Sequence, residues 1–199
     1  MSTAKEPAAK RHKRGDARRE ALVQAAAERF WTRGYAGSSI AQVAAAAGVP
    51  LGNVYYYHKT KADLAMAVAD LFVGQTEALI DEVSAESDDP RGRLKALVGR
   101  LRASQAPRLA HGCPIAAACR DFRDEAPEAA RRAAESFSIL TGFIAAELGR
   151  TGMRPALALA RARAIVCDWQ GGIALGHALG EPPVLAEAFM RMDRHITQT

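Results

Sequence analysis

Long apolar runs are missing from this 199-residue sequence. No stretch approaches the ~18 consecutive apolar residues that mark a membrane-spanning helix, so no membrane partner is expected. Runs of alternating β-branched and polar residues longer than a few positions are missing too. Alanine is abundant and aromatics make up only 6% of the chain, a balance that points to a mostly helical protein. Three cysteines without a regular framework fit free thiols in a reducing compartment rather than a disulfide scaffold. The basic N-terminus has no apolar core behind its charges, so it does not read as a secretory signal, and a cytoplasmic location is expected. Signatures of catalysis are equally thin: there is no nucleophile elbow, Gly-rich phosphate loop or HExxH. His111, Cys113 and Cys119 are not at zinc-finger spacing and no second Cys/His pair follows. No catalytic residue, metal or cofactor is expected.

The formal net charge of +5 hides an asymmetry. Residues 1–61 carry 11 Lys/Arg against 4 acids, leaving 16 bases and 18 acids for residues 62–199. A basic head on a slightly acidic body suggests a localised contact with a polyanion.

Along the chain, residues 1–15 are polar and charged, contain Pro7 and lack periodicity, which reads as a disordered basic arm. From Asp16 the pattern turns helical: Leu22, Val23, Ala26, Ala27 and Phe30 share a face, and Arg33-Gly34 ends the helix. Ser38 or Ser39 caps a helix to about Ala47, Gly48 supplies a turn, and Pro50 suits the start of another helix. Thr60, with Asp63 as an imperfect capping box, opens a long helix to about Val83. Further helices are expected over residues 91–109, 114–122, 127–149, 155–179 and 183–196. No internal repeat is present. The expected division is a disordered arm over 1–15, a three-helix head over 16–62 and a helical body over 63–199.

Two body helices carry apolar stripes: Phe137, Leu140, Ile144 and Leu148 on one, and Ile165, Trp169, Gly172, Ile173 and Gly176 on the next. Glycine inside a helix costs roughly 1 kcal/mol against alanine. Three of them, at 171, 172 and 176, therefore indicate close approach of another helix, within the subunit or across a two-fold interface.

The run from Ser38 to Tyr57 is the most specific feature. A capped helix, a glycine turn and a short helix displaying polar and aromatic side chains form the pattern of a helix-turn-helix, whose second helix enters the DNA major groove. The N-terminus at Ser39 offers a phosphate clamp. Asn53 can pair with adenine, and Gly52 lets the backbone approach closely. Tyr55, Tyr56 and Tyr57 offer hydroxyls to phosphates and ring faces to thymine methyls, while Lys59 and Lys61 hold the flanking backbone. At 100° per residue the three tyrosines cannot all face a core, so at least one is exposed. Double-stranded operator DNA is the expected partner, and palindromic half-sites require a homodimer.

Between about Arg19 and Leu64 the chain resembles the DNA-binding domain of the TetR family of bacterial transcriptional regulators. Arg19-Glu20, Leu22-Val23, Ala25-Ala26, Phe30, Gly34-Tyr35, Ser38-Ser39-Ile40, Val43-Ala44, Ala47-Gly48-Val49, Gly52, Val54-Tyr55, Lys59-Thr60-Lys61 and Leu64 carry the likeness. The resemblance implies an all-α, two-part protein, with an N-terminal helix-turn-helix domain and a C-terminal domain that binds a small-molecule effector and dimerises. Carried over by position, Ser39, Tyr55, Tyr57 and Lys61 would contact phosphates, while Leu51, Asn53 and Tyr56 would face bases. The family usually has Phe where this chain has His58, which would either pack beneath the recognition helix or reach a phosphate when protonated.

In the body, Gly112-Cys113-Pro114-Ile115 resembles a segment of a TetR branch that includes regulators responsive to electrophiles. Pro114 at the first helical position would place Cys113 at an N-cap, where the helix dipole favours a thiolate. The alternative is that Cys113 is a buried small hydrophobe. Cys113, Phe122, Phe143, Trp169 and His177 are the expected effector contacts. Asp168, an isolated charge beside Trp169, would pair with Arg161, Arg163, an arginine across a dimer or a cationic ligand. The expected function is a ligand-responsive repressor released by a small molecule or by cysteine modification. A thiol-dependent enzyme or redox protein centred on Cys113, or a non-specific DNA-binding protein, is the alternative.

Overall fold

Ten helices follow one another without a strand among the described residues. The computed structural model describes the backbone of residues 8–197 and the side chains of residues 15–197. The helices are α1 (Ala8–Arg33), α2 (Ile40–Ala46), α3 (Leu51–Tyr57), α4 (Lys61–Glu86), α5 (Pro90–Ala103), α6 (Gln105–His111), α7 (Pro114–Asp121), α8 (Pro127–Arg150), α9 (Pro155–Leu179) and α10 (Pro182–Thr197). No helix among the described residues is long and apolar enough to cross a membrane.

Local sequence explains most boundaries. Ser39 accepts a hydrogen bond from the Gln42 amide while the Gln42 side chain accepts from the Ser39 amide, a reciprocal box that fixes the start of α2. Thr60 and Asp63 form the same box at α4, both bonds at 3.0 Å, so the sequence signal is complete rather than imperfect. Each such cap stabilises its helix by about 1 kcal/mol. Proline occupies the first turn of α5, α7, α8 and α9, where its missing N–H costs no helical bond.

Three expectations need correction. The helix expected from Asp16 begins at Ala8, because Ala8 to Arg14 are good helix formers that propagate it upstream, and Gly15 alone does not stop it. Residues 1–7 of the expected arm lie outside the described residues. The long fourth helix runs on to Glu86. The single helix expected over 91–109 is broken at Ser104 into α5 and α6. Pro107 is the cause: it lacks an amide hydrogen and its ring would strike the carbonyl four residues earlier, so the helix must restart with Pro107 in its first turn.

The core divides into two clusters. The first joins Leu22, Ala26 and Phe30 of α1 with Val43, Val54 and the first half of α4, and takes in Phe122 and Ala118 from the body. Phe30, Tyr35 and Phe122 form a ring of edge-to-face pairs with centroids 5.0–5.8 Å apart, each worth roughly 0.5–1.5 kcal/mol beyond area burial. The second cluster lies among α5, α8, α9 and α10. The apolar stripes of α8 and α9 face this interior: Leu140, Ile144, Leu148, Ile165, Trp169 and Ile173 are all buried. A Cβ on Gly172 would lie 2.5 Å from that of Ala188, so the glycines admit α10 of the same chain. Gly171 has no such neighbour and faces outward.

Candidate nucleic-acid interface and effector cavities

Gly48 carries the turn of the helix-turn-helix. Its φ of +63° is a left-handed conformation that side chains disfavour, and it lets the Val49 amide reach back to the Ala44 carbonyl at 3.0 Å. The chain then enters α3 through Pro50. One side of α3 is anchored: Val54 is fully buried and His58, directly after the helix, is 4% exposed. The opposite side is open, with Tyr56 82% exposed and Tyr55 and Leu51 about half exposed. Leu51, Tyr55 and Tyr56 together form an exposed apolar and aromatic patch on a helix of seven residues.

The remaining expected contacts are placed as follows. Ser39 is exposed, and its hydroxyl accepts from the Gln42 amide, which leaves its own O–H free to donate. Gly52 is exposed and a Cβ there would meet nothing within 4 Å. Nothing inside the chain therefore requires glycine at that position. Asn53 is half-buried. Tyr57 turns back toward α1, packing on the first core and edge-on against Tyr56. Lys59 is exposed, while the Lys61 ammonium sits 4.0 Å above the Tyr35 ring. His58 packs: its Nε2 is buried without a hydrogen-bond partner among the described residues. Burial, and then the positive charge of Arg19, hold its pKa below the ordinary 6.5, so it does not reach for a phosphate.

The expected effector contacts converge only in part: Cys113 and His177 border one groove, while Phe122, Phe143 and Trp169 lie elsewhere. Phe122 is consumed by the aromatic ring between head and body. Cys113 is buried at the N-cap of α7 and shares a groove of about 310 Å³ with Trp31, His111 and His177. Trp169 borders a different cavity, of about 100 Å³, together with Phe72, Thr76, Arg108, Ser136 and Phe137. Phe143 packs on the second core. Asp168 pairs within its own chain, accepting from Arg191 at 2.6 Å and lying 3.2 Å from His195 of α10. The longer reach of α10 over α9 thus replaces the partners expected on α9 itself. Among the described residues, no three His, Cys, Asp or Glu side chains gather in a way that could hold a metal ion.

Sequence reasoning passed over Trp31, Arg108 and Ser136. The Trp31 indole N–H donates to the carbonyls of His111 and Gly112 at 3.2 and 3.1 Å, joining α1 of the head to the end of α6. A tryptophan next to the core residue Phe30 is a signal for such a link, since its N–H usually finds an acceptor when the ring packs. Leu109 adds a second tie, its carbonyl 2.8 Å from His177 Nδ1 on α9.

Comparison with known proteins agrees with this architecture. The family model for bacterial regulatory proteins of the tetR family matches residues 22–68, and that for the C-terminal domain of LmrA/YxaF-like transcriptional regulators matches residues 90–190. The chain is 24% identical over 170 residues to an HTH-type transcriptional regulator in the lacX 3′ region of Lactococcus lactis subsp. lactis, covering 79% of this chain and 82% of that one. It is 33% identical over 112 residues to another in the dhlA 5′ region of Xanthobacter autotrophicus, covering 55% and 52%. Its fold is similar to that of a TetR transcriptional regulator from Chloroflexus aurantiacus J-10-FL, with a TM-score of 0.79, 26% identity and coverage of 94% and 98%.

Proposed function

Because the chain belongs to the TetR family of bacterial regulatory proteins, and is a DNA-binding, ligand-responsive transcriptional regulator, we propose that it works as a homodimeric repressor. Two heads enter major grooves one helical turn apart, and an effector bound in the body releases them. The exposed face of α3 carries this reading, because Leu51, Tyr55 and Tyr56 lie together on it as large apolar or aromatic groups open to solvent. We assign base contacts to Leu51, Asn53 and Tyr56, close backbone approach to Gly52, and phosphate contacts to Ser39, Tyr55, Lys59 and Lys61. Tyr57 supports α3 from behind while its hydroxyl reaches the backbone. The arm over 1–15 and the head over 16–62 then supply the positive field, and 63–199 the switch.

The dimer surface is assigned to the outer side of α9 and α10. Leu175, Leu179 and Met190 are each more than half exposed there, and Gly171 and Ala174 leave room for close helix contact. Release is a population shift: an effector that binds one head spacing better than the other moves the dimer away from the spacing that fits DNA. We assign the chain no catalytic step and place it in the cytoplasm.

The test is fluorescence anisotropy of purified protein with duplex DNA flanking its own gene and with a scrambled duplex, at near-physiological salt. Preference of about a thousandfold or more for one duplex is expected of a specific regulator. Equal affinity for both, falling steeply with salt, would mean that phosphates alone are being read.

A further inference from the structure

Buried donors without acceptors are uncommon, because each has given up its bond to water. Three border one cavity. Arg108 comes from α6, Ser136 from α8 and Trp169 from α9. Ser136 and Trp169 are 1% and 3% exposed, and Ser136 Oγ, Trp169 Nε1 and Arg108 Nε have no hydrogen-bond partner among the described residues.

Arg108 is the unusual member. Its Nη1 donates to the Ser104 carbonyl at 2.8 Å and its guanidinium lies 5.7 Å from the Trp169 ring. Among the described residues no carboxylate pairs with it. Burial lowers its pKa from the ordinary value, although a guanidinium stays charged at neutral pH. Elsewhere the same body pairs its buried charge: Glu147, 1% exposed, is held by both Arg93 and Arg150. Arg108 is half-buried with its Nε fully out of water, and withdrawing a cation from water even in part is costly unless an anion answers it.

The rest of the wall is largely apolar, with Phe72, Leu79, Phe137 and Leu140. Phe72, Gln75 and Pro114 are shared with a cleft of about 460 Å³ that is also bordered by Gln24 and Trp31 of α1. A mainly apolar pocket with a few converging polar groups is the usual form of a small-molecule site.

We infer that the effector is an amphipathic monocarboxylate, its carboxylate held by Arg108, Ser136 and Trp169 and its apolar body running past Phe72 toward the cleft beside α1. This identification rests on the reading of the body as an effector-binding domain and names the class of ligand it takes. A planar carboxylate matches the fork of a guanidinium and supplies acceptors for the hydroxyl and indole donors. Binding reports to the head through α6. Arg108 lies one turn before His111, whose carbonyl, with that of Gly112, holds Trp31.

The test uses the full-length protein, isothermal titration calorimetry at neutral pH, and three probes of equal length: octanoate, octan-1-ol and octylamine. Octanoate should bind saturably, octan-1-ol at least about tenfold more weakly, and octylamine not at all. Arg108→Leu should weaken octanoate roughly 10- to 100-fold and leave octan-1-ol unchanged. Arg108→Lys and Ser136→Ala, which disturb packing less, should each weaken octanoate by a smaller factor and carry the comparison if Arg108→Leu fails to fold by thermal melting. Equal affinity for octanoate and octan-1-ol, no saturable octanoate binding, or octanoate affinity unchanged in the folded variants would overturn the assignment. Operator binding, read in parallel by anisotropy, separates the two readings. Operator affinity without octanoate binding leaves the regulator standing and removes the carboxylate site. Octanoate binding without operator release keeps the site and removes the release mechanism.

Discussion

The indole N–H of Trp31 is shared between the carbonyl oxygens of His111 and Gly112, at 3.2 and 3.1 Å. It joins the helix that carries the DNA-reading head to the short helix that carries Arg108. Those carbonyls close α6 at a residue whose φ of +78° only glycine adopts easily, so a shift of α6 would act on Trp31 through two hydrogen bonds. Trp31→Phe keeps the ring and deletes the donor. Operator affinity in the absence of effector should change by less than about threefold, while the octanoate concentration needed for half release should rise by about tenfold. Anisotropy titrations of both proteins give the comparison, and an unchanged release midpoint would show that the head is driven by another contact.

No neighbour in the fold requires glycine at position 52. A Cβ there meets nothing within 4 Å, so Gly52→Ala should raise the thermal midpoint, by up to roughly 1 kcal/mol of stability. The same methyl should reduce operator affinity by tenfold or more if the α3 backbone lies against DNA. A stabilised variant with undiminished affinity would place Gly52 away from the interface.

Base and phosphate contacts separate by their dependence on sequence and salt. Tyr56→Ala and Asn53→Ala should each relax preference at one operator position, by roughly 1–3 kcal/mol where the contact is specific. Lys59→Ala should weaken all duplexes alike and reduce the salt slope by about one. Lys61→Ala should do the same and also lower head stability, because its ammonium lies over the Tyr35 ring. Competition against single-base-pair variants at several salt concentrations reads both effects. A Tyr56→Ala protein that loses affinity uniformly would move Tyr56 to the phosphate group.

His58 is expected to make the head sensitive to acid. Its pKa is held below the ordinary 6.5 in the folded chain by burial and by Arg19, with Asp63 opposing. Unfolded chains therefore bind a proton that the fold refuses. The contribution is fully present above about pH 6.5 and is lost as pH falls toward the lower folded value. His58→Phe should be more stable than the parent at pH 5.5 by a wider margin than at pH 7.5. Equal gaps in melting temperature at the two pH values would show that His58 titrates normally in the fold.

The dimer surface proposed on α9 and α10 can be tested separately from the DNA face. Leu175→Arg, at a position 52% exposed, should leave the subunit folded and shift its mass in analytical ultracentrifugation from dimer to monomer. Operator affinity should fall with it, since one head alone reads half a site. A Leu175→Arg protein that remains dimeric would move the interface elsewhere.

The head was legible because its signals are local. The Ser39 cap, the Gly48 turn and the Thr60 box each announce themselves within four residues, and the structure realises all three. Periodicity also gave the buried faces of α8 and α9, but it left open what they face, since an apolar stripe looks the same against α10 as against a second subunit. The expected effector residues scattered for a related reason. Phe122 and Trp169 are both large aromatics on body helices or their ends, and only the folded chain sends one to the head–body junction and the other to a cavity. Arg108 carried no signal at all, because an arginine on a short helix reads as a solvated charge until its surroundings are known. Pro107, like Trp31, is a signal in plain view: a proline at that position separates α6 from α5.

The most direct measurement is selection of bound duplexes from a fully randomised pool by the full-length protein, followed by sequencing. A homodimer presenting two α3 helices should enrich a two-fold symmetric motif whose half-sites are centred about 10 base pairs apart, or a multiple of that spacing. Failure of any motif to rise above the starting pool, with the protein folded and dimeric, would contradict the account.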